Sequence, residues 1–290
     1  MRKKINGYRA FTIINTIFML FIIFIMAYPL YYVVVASFSD PNALFRHGGL
    51  LWAPLQPYTL RAYEMVFNHS LILSGFANTL FVLVVGLMVN LTMTVLGAYC
   101  LNVKGPMLNG LFTTMIIITM YFGGGLVPGY LNIKDLGLLD SLWALIIPGA
   151  ISTTNLIIMR SAFRNIPESL TEAAVLDGAA HYQILTRVMI PLSKATLAVM
   201  VLYYGVSHWN SWFAASIYLR DSAKYPLQLV VRNIINLTQM TEDTGVDEMA
   251  QMAELMKYAL IVVSTVPILC IYPFIQKHFT KGVMVGAIKG

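Results

Sequence analysis

Apolar residues in this chain come in long runs, and charges mark their ends. The intervals Arg9 to Asp40, Glu64 to Lys104, Lys104 to Lys134, Asp140 to Arg160, Lys194 to Arg220 and Lys257 to Lys277 enclose no Asp, Glu, Lys or Arg. Each holds a stretch near the ~20 apolar residues that a helix needs to cross a bilayer core. The pattern predicts six helices, centred near Phe24, Gly86, Ile116, Ile147, Tyr204 and Thr265. The second interval is longer than a span needs, so part of it lies outside the bilayer. The first span, Phe11–Val35, is too long for a signal-peptide core and lacks a small-x-small cleavage site, so it should stay in place. Pro29 should kink or end it.

Composition supports a membrane chain. Hydrophobic residues make up 58% and charged residues 11%, against ~25% charged in soluble domains. The expected fold class is all-α integral membrane, one transmembrane domain over residues 1–290 with six spans. The net charge of +6 matters less than its placement. With the N-terminus inside, Arg2, Lys3, Lys4, Arg9, Lys104, Arg160, Arg164, Arg187, Lys194, Lys277, Lys281 and Lys289 also fall inside. The smaller group outside is Arg46, Arg61, Lys134, Arg220, Lys224, Arg232 and Lys257. This agrees with the positive-inside tendency and places both termini in the cytoplasm. Cys100 and Cys270 fall in apolar runs and read as core or lipid-facing residues, with no disulfide or metal role.

The longest polar interruption with a turn signal is residues 165–194, NIPESLTEAAVLDGAAHYQILTRVMIPLSK. Pro167 suits a first helical turn. Ser169 and Glu172 have capping-box spacing. A short helix is expected over Glu168–Asp177, broken at Gly178, which can take a positive φ. A second is expected over His181–Ile190, stopped at Pro191. Helix, glycine turn, helix makes a compact knob that another protein can hold.

Glu172-Ala173-Ala174, Asp177-Gly178-Ala179 and Ile190-Pro191 carry a resemblance. The run E-A-A-x-x-D-G-A with a later apolar-Pro pair resembles the cytoplasmic coupling loop of permeases of binding-protein-dependent ABC importers. Leu185 stands where many members have Phe, and Ala195 where many have a second Pro. The stretch Tyr121–Pro148 and the tail from Gln276 to Gly290 resemble the complex-saccharide, maltose-type subfamily. The resemblance therefore runs from the first span to the last residue. It implies that Glu172, Ala173, Ala174, Asp177, Gly178, Ala179 and Pro191 couple the permease to an ATPase. It also implies a second homologous permease, two ATPase subunits and an extracytoplasmic substrate-binding protein as partners. ATP-driven closure would then switch the path between its two openings.

Other positions suggest the path. Gly123-Gly124-Gly125 should end the third span, since each glycine costs roughly 1 kcal/mol relative to Ala in a helix. The glycines serve either close packing or a wall of the translocation path. Trp209 and Asn210 offer a stacking face and an amide, the two things a sugar needs. Trp212 reads rather as part of an interfacial aromatic belt. The outer-loop aromatics Phe45, Trp52, Tyr58, Tyr63 and Phe67 read mainly as headgroup anchors. Asn78, Asn90 and Gly97 sit in the second span, where amides usually bond to a neighbouring helix. The acidic stretch Met240–Lys257 reads as a solvated loop, with contact to a binding protein as the sharper reading.

Absences separate the classes. No phosphate loop G-x-x-x-x-G-K-[ST] and no H-E-x-x-H occurs, so neither nucleotide hydrolysis nor zinc proteolysis has its residues here. The six apolar cores hold no Asp, Glu, Lys or Arg, which ion-coupled transporters need. An ion-coupled secondary transporter is thus the second reading, and a membrane enzyme the third. The expected protein is a sugar or oligosaccharide permease of the cytoplasmic membrane. It has no catalytic residues, cofactor, metal or nucleic-acid partner of its own, and it is driven by a separate ATPase.

Overall fold

The computed structural model describes residues 2–103, 109–242, 256–271 and 273. The described residues are helical, with turns and no strand. The turn at Lys104-Gly105-Pro106, most of the acidic stretch (243–255) and the tail from Gln276 lie outside them. Two helices are long and apolar enough to cross a membrane alone, Tyr8–Ser37 and Ser70–Cys100. Two bent helix pairs raise that to four if each pair is one span. Contacts gather into two units, Met1–Ser70 with Asn233–Val266, and Leu71–Arg232 with Pro267–Gly290.

In the first unit, α1 (Arg2–Ser37) runs through Pro29 without ending. Its last turns are held from the side. Tyr28 Oη accepts the Leu51 N–H at 2.8 Å, and Tyr31 Oη donates to Trp52 O at 2.5 Å. Phe24 stacks on Trp52 with ring centroids 6.1 Å apart. The loop after α1 continues this anchoring, since Ser39 Oγ accepts from Leu55 N and Asp40 caps α2 (Pro41–Arg46) through Ala43 N. Trp52, Tyr58 and Phe67 stay exposed, which suits a belt at the headgroup level. Helix α3 (Arg61–Asn68) closes the loop, and Tyr63 Oη meets Ser37 Oγ at 2.7 Å.

The second unit is built on α4 (Ser70–Cys100). Its buried positions are Ile72, Gly75, Thr79, Val82, Gly86, Asn90, Thr94, Val95 and Ala98. They recur at three or four residues, so they form one helical stripe. Most of the stripe is small or polar, while Leu73, Leu80, Phe81, Val84, Met88, Met93 and Leu96 are exposed. This is the arrangement expected in lipid, where small residues let helices approach and polar ones bond across.

Helix α5 (Asn109–Tyr121) ends before Gly123 and turns by 113° into α6 (Leu126–Asp135). The expected glycine break is therefore present, with Gly125 at φ 84. The fourth span departs from expectation. In place of a helix over Ser141–Met159 there is a short 3-10 turn, Leu142–Leu145, then turns to residue 151, then α7 (Thr153–Arg164). Pro148 and Gly149 break the helix, and protein groups meet the freed carbonyls. Asn90 Nδ2 donates to Gly149 O at 2.6 Å and Ala150 O at 3.1 Å. Irregular backbone survives at membrane depth only when so covered.

After the polar interruption, α10 (Lys194–Trp209), α11 (Trp212–Tyr218) and α12 (Leu227–Glu242) follow. Thr79 Oγ1 accepts from Leu227 N at 2.8 Å, fixing the start of α12 against α4. A last apolar helix, α13, spans Met256–Ile271. Cys100 and Cys270 are free and exposed, so neither is a core residue of this chain.

Candidate functional site

The polar interruption folds as a helical hairpin. Helix α8 covers Glu168–Leu176, close to the expected range. Its N-cap is Pro167, and no side chain caps it. Ser169 lies inside the helix, one residue past its start, so the expected Ser169–Glu172 capping box does not form. The C-terminus carries a full Schellman motif. Ala179 N donates to Ala174 O and Gly178 N to Val175 O, both at 2.9 Å. Gly178 takes φ 78 as expected, and a Cβ there would meet open space. Its requirement is therefore backbone handedness, not room.

The second arm, α9, runs over His181–Leu192. Gln183 Oε1 accepts from Ala180 N at 2.9 Å, half of a capping box. Residues Leu185–Met189 form a π-turn, and the helix continues through Pro191 to Leu192. Pro191 does not stop it: the chain stays helical through Ile190, Pro191 and Leu192, directly after the π-turn. The break comes at Ser193, where the chain bends by 83° into α10.

The hairpin is seated by a buried cluster. Val95, Ala98 and Leu101 from the end of α4, Leu156, Met159 and Phe163 from α7, and Ile184, Leu185 and Met189 from α9 form it. Ala174 and Ala179 pack against it half-buried. Glu172, Ala173, Asp177, Gly178 and Pro191 are exposed. So is Leu176, at 88%. A leucine that open beside a rigid turn is an unpartnered apolar tip. Leu170, Val175 and Tyr182 extend it. These four were not singled out from the sequence, although the gap between E-A-A and D-G-A holds Val175 and Leu176. Beside the hairpin is a cleft of about 980 Å³ lined in part by Tyr99, Asn109, Arg160, Arg164, Glu172 and His181. Tyr99 Oη and His181 Nδ1 lie 3.0 Å apart across it. Glu172 has no ion-pair partner among the described residues.

The candidate path residues are placed differently. Trp209, 4% exposed, ends α10, and Asn210 caps it with Nδ2 donating to Val206 O at 2.9 Å. Gly123, Gly124 and Gly125 are exposed, and within 4 Å of their Cβ positions lies only Pro128 Cβ, at 3.9 Å from Gly124. The two groups sit in separate breaks. Helix α6 reaches α11 through stacked Tyr130 and Tyr218, ring centroids 6.4 Å apart.

A ladder between α4 and α10 went unread in the sequence beyond Asn90. His208 Nε2 donates to Asn90 Oδ1 at 2.6 Å, so the amide is held on both sides. Tyr204 Oη accepts from Ser152 N at 2.9 Å and meets Thr94 Oγ1 at 2.7 Å. Gly86 leaves room for the His208 ring. The spacing of Gly86, Asn90 and Thr94, each four residues on, with Tyr204 and His208 also four apart, was the available signal. Asn78 Nδ2 bonds to Ala223 O and Tyr225 O, so its partner is a loop rather than a helix.

At the far end of α11, Asp140 (φ 57) ties two loops together. Its carboxylate accepts from Asp221 N and Arg220 N at 3.0 Å each and pairs with Lys224 Nζ at 2.7 Å. The Asp221 N–H bond first, then Lys224 and Arg220, hold its carboxyl well below the usual carboxylate range.

A helical membrane chain with an exposed, rigid helical hairpin between apolar spans has the build of a transporter's membrane component. Residues 106–285 match the family described as binding-protein-dependent transport system inner membrane component, and the chain belongs to that family. It is 38% identical over 288 residues to protein LplC of Bacillus subtilis (strain 168), covering 97% of this chain and 96% of that one. It is 36% identical to the polygalacturonan/rhamnogalacturonan transport system permease protein YtcP of the same organism, over 94% and 96% of the two chains. Among solved structures, a chain of a bacterial ABC transporter that imports the acidic polysaccharide alginate matches with TM-score 0.86 and 34% identity. That match covers 94% of this chain and 98% of that chain.

Proposed function

We propose that this chain is a saccharide-translocating permease subunit of an ABC importer in the cytoplasmic membrane. The hairpin α8–α9 faces the cytoplasm and docks on an ATPase subunit. A second homologous permease, two ATPase subunits and an extracytoplasmic binding protein complete the assembly, with lipid around the spans. The chain forms one permease domain of six crossings with both termini inside. It hydrolyses nothing itself. The family and the saccharide relatives favour this reading, and an ion-coupled secondary transporter has no support.

The observation that carries it is the hairpin. Its Schellman turn fixes Gly178, its root is packed on α4 and α7, and its tip presents an exposed Leu176 and a Glu172 with no ion-pair partner among the described residues. Such a knob moves as a rigid lever. Ala173, Ala174, Asp177, Ala179 and Pro191 hold its shape. Trp209, Asn210 and the Gly123–Gly125 break are the candidate walls of the path.

The test is ATPase retention while the complex is purified. Since no capping box forms, Glu172 has no local task, and its charge is available to the partner. Breaking one half of a partly dehydrated charged contact costs about 2–5 kcal/mol. Glu172→Lys should shed the ATPase and uncouple hydrolysis from transport, and Glu172→Gln should do so less. Normal retention and transport in both variants would remove Glu172 from the docking surface. Labelling of a cysteine at position 169 by an impermeant reagent in intact cells would refute the orientation.

A further inference from the structure

Arg232 stands inside an apolar helical stretch, Leu227–Leu237. It is exposed, and its guanidinium carbon lies 3.6 Å from the centroid of the Trp212 ring. The stack satisfies the guanidinium face but not its edge, where the N–H donors lie in plane. Among the described residues no carboxylate meets that edge. The neighbouring cation, Lys224, is already taken by Asp140 at 2.7 Å and Asp221 at 3.9 Å.

A second observation lies next to Trp212. In the break between α10 and α11, the buried Trp209 Nε1 and Ser211 Oγ have no hydrogen-bond partner among the described residues. Asn210 is exposed between them, and Phe213, 53% exposed, sits edge-on to Trp212 at 5.4 Å. Two aromatic faces, Trp212 and Phe213, and a guanidinium that no carboxylate meets among the described residues come together here. A planar carboxylate matches a guanidinium edge through two parallel hydrogen bonds.

We propose that Arg232, braced on Trp212, receives the carboxylate of a uronic-acid oligosaccharide during passage and so selects acidic over neutral saccharides. The proposal rests on the saccharide-import reading. No bond is made or broken, and the sugar leaves when the path changes its opening.

The test uses the complete importer, with both permeases, the ATPases and the binding protein, in phosphatidylcholine vesicles. ATP-driven uptake is measured for trigalacturonate and for the same trisaccharide with its carboxyls reduced to alcohols. Arg232→Gln should lower uptake of the acidic sugar by about ten- to hundredfold, as expected for one charge-assisted contact. The neutral sugar should be unaffected, Arg232→Lys should fall between, and Arg220→Gln should leave the acid-to-neutral ratio unchanged. Equal loss for both sugars would overturn the proposal, since it would mark a structural residue. A loss seen only with phosphatidylglycerol in the vesicles would assign Arg232 to lipid. A loss of binding-protein-stimulated ATPase activity without sugar would assign it to protein docking. Uptake of the neutral sugar alone, indifferent to Arg232, sinks this proposal and leaves the importer reading standing. No uptake of either sugar by the unaltered complex sinks both.

Discussion

Adding one methyl group at Gly86 should test the ladder that holds α4 to α10. A Cβ built there lies 2.5 Å from His208 Nε2, 2.8 Å from Cε1 and 2.9 Å from Cδ2. All three are ring atoms, and the ring cannot retreat freely, because Nε2 is bonded to Asn90 Oδ1. Asn90 in turn holds the carbonyls of Gly149 and Ala150. If the ring stays, overpacking costs about 1–3 kcal/mol. If it swings away, an unpaired buried amide costs about 1–3 kcal/mol instead. Better helix propensity of Ala returns roughly 1 kcal/mol. Gly86→Ala should therefore destabilise by up to about 2 kcal/mol on these terms, and Gly86→Val by more. The measurement is the thermal midpoint of the purified complex. His208→Ala removes the clash, so the double variant should show a coupling of at least about 1 kcal/mol relative to additivity. Strict additivity, or a Gly86→Val midpoint equal to that of the unaltered protein, would refute the contact.

The hairpin turn and the outer clasp give two more. Gly178→Val should lose ATPase coupling while still reaching the membrane, whereas Gly178→Asn should be milder, because φ 78 suits Asn better than a β-branched residue; uptake normalised to membrane abundance reads it, and full uptake by the Val variant would mean the turn is not required. Asp140 has a folded-state pKa held below its ordinary value, so its contribution to stability is present at neutral pH and is lost as pH falls below the usual carboxylate range. Asp140→Asn should lower the thermal midpoint at pH 7 and flatten its fall below about pH 4; an unchanged pH profile would mean that the clasp does not contribute.

How much of this was written in the sequence follows from which physics each element uses. The hairpin was legible because local rules decide it. Gly178 must supply a positive φ, and the Ala-rich helix before it needs no distant partner. The glycine break after α5 was legible for the same reason. The capping box at Ser169 was misread because Pro167 starts the helix two residues earlier and moves Ser169 out of the cap position. Pro191 was misread as a stop because the helix that holds it runs through a π-turn at Leu185–Met189 and ends only after Leu192. The fourth span shows a different limit. Its composition is apolar enough for a continuous helix, and the broken backbone is met by side chains distant in sequence, Asn90 at Gly149 and Ala150 and Tyr204 at Ser152.

The ladder explains why apolar periodicity is silent here. In a water-soluble helix the buried stripe is apolar and the exposed face polar. In α4 both faces lack charge, and the buried one is the more polar, with Thr79, Asn90 and Thr94 facing in and Leu80, Val84 and Met88 facing out. The period of 3.6 is present, but it is carried by residue size and hydrogen-bonding groups. Each polar member of that stripe answers a specific break in the surrounding chain: Thr79 the start of α12, Asn90 the turn at Gly149–Ala150, and Thr94, through Tyr204, the turn at Ser152. One unbroken helix thus holds two interrupted stretches, the break at 149–152 and the start of α12, in register. On the proposed reading this combination serves transport: the breaks are the candidate walls of the path, and the continuous helix holds them in place. A sequence search for such a strut should therefore look for small and hydroxyl or amide residues at fourfold spacing inside a charge-free run, where a hydropathy window sees only uniform apolarity.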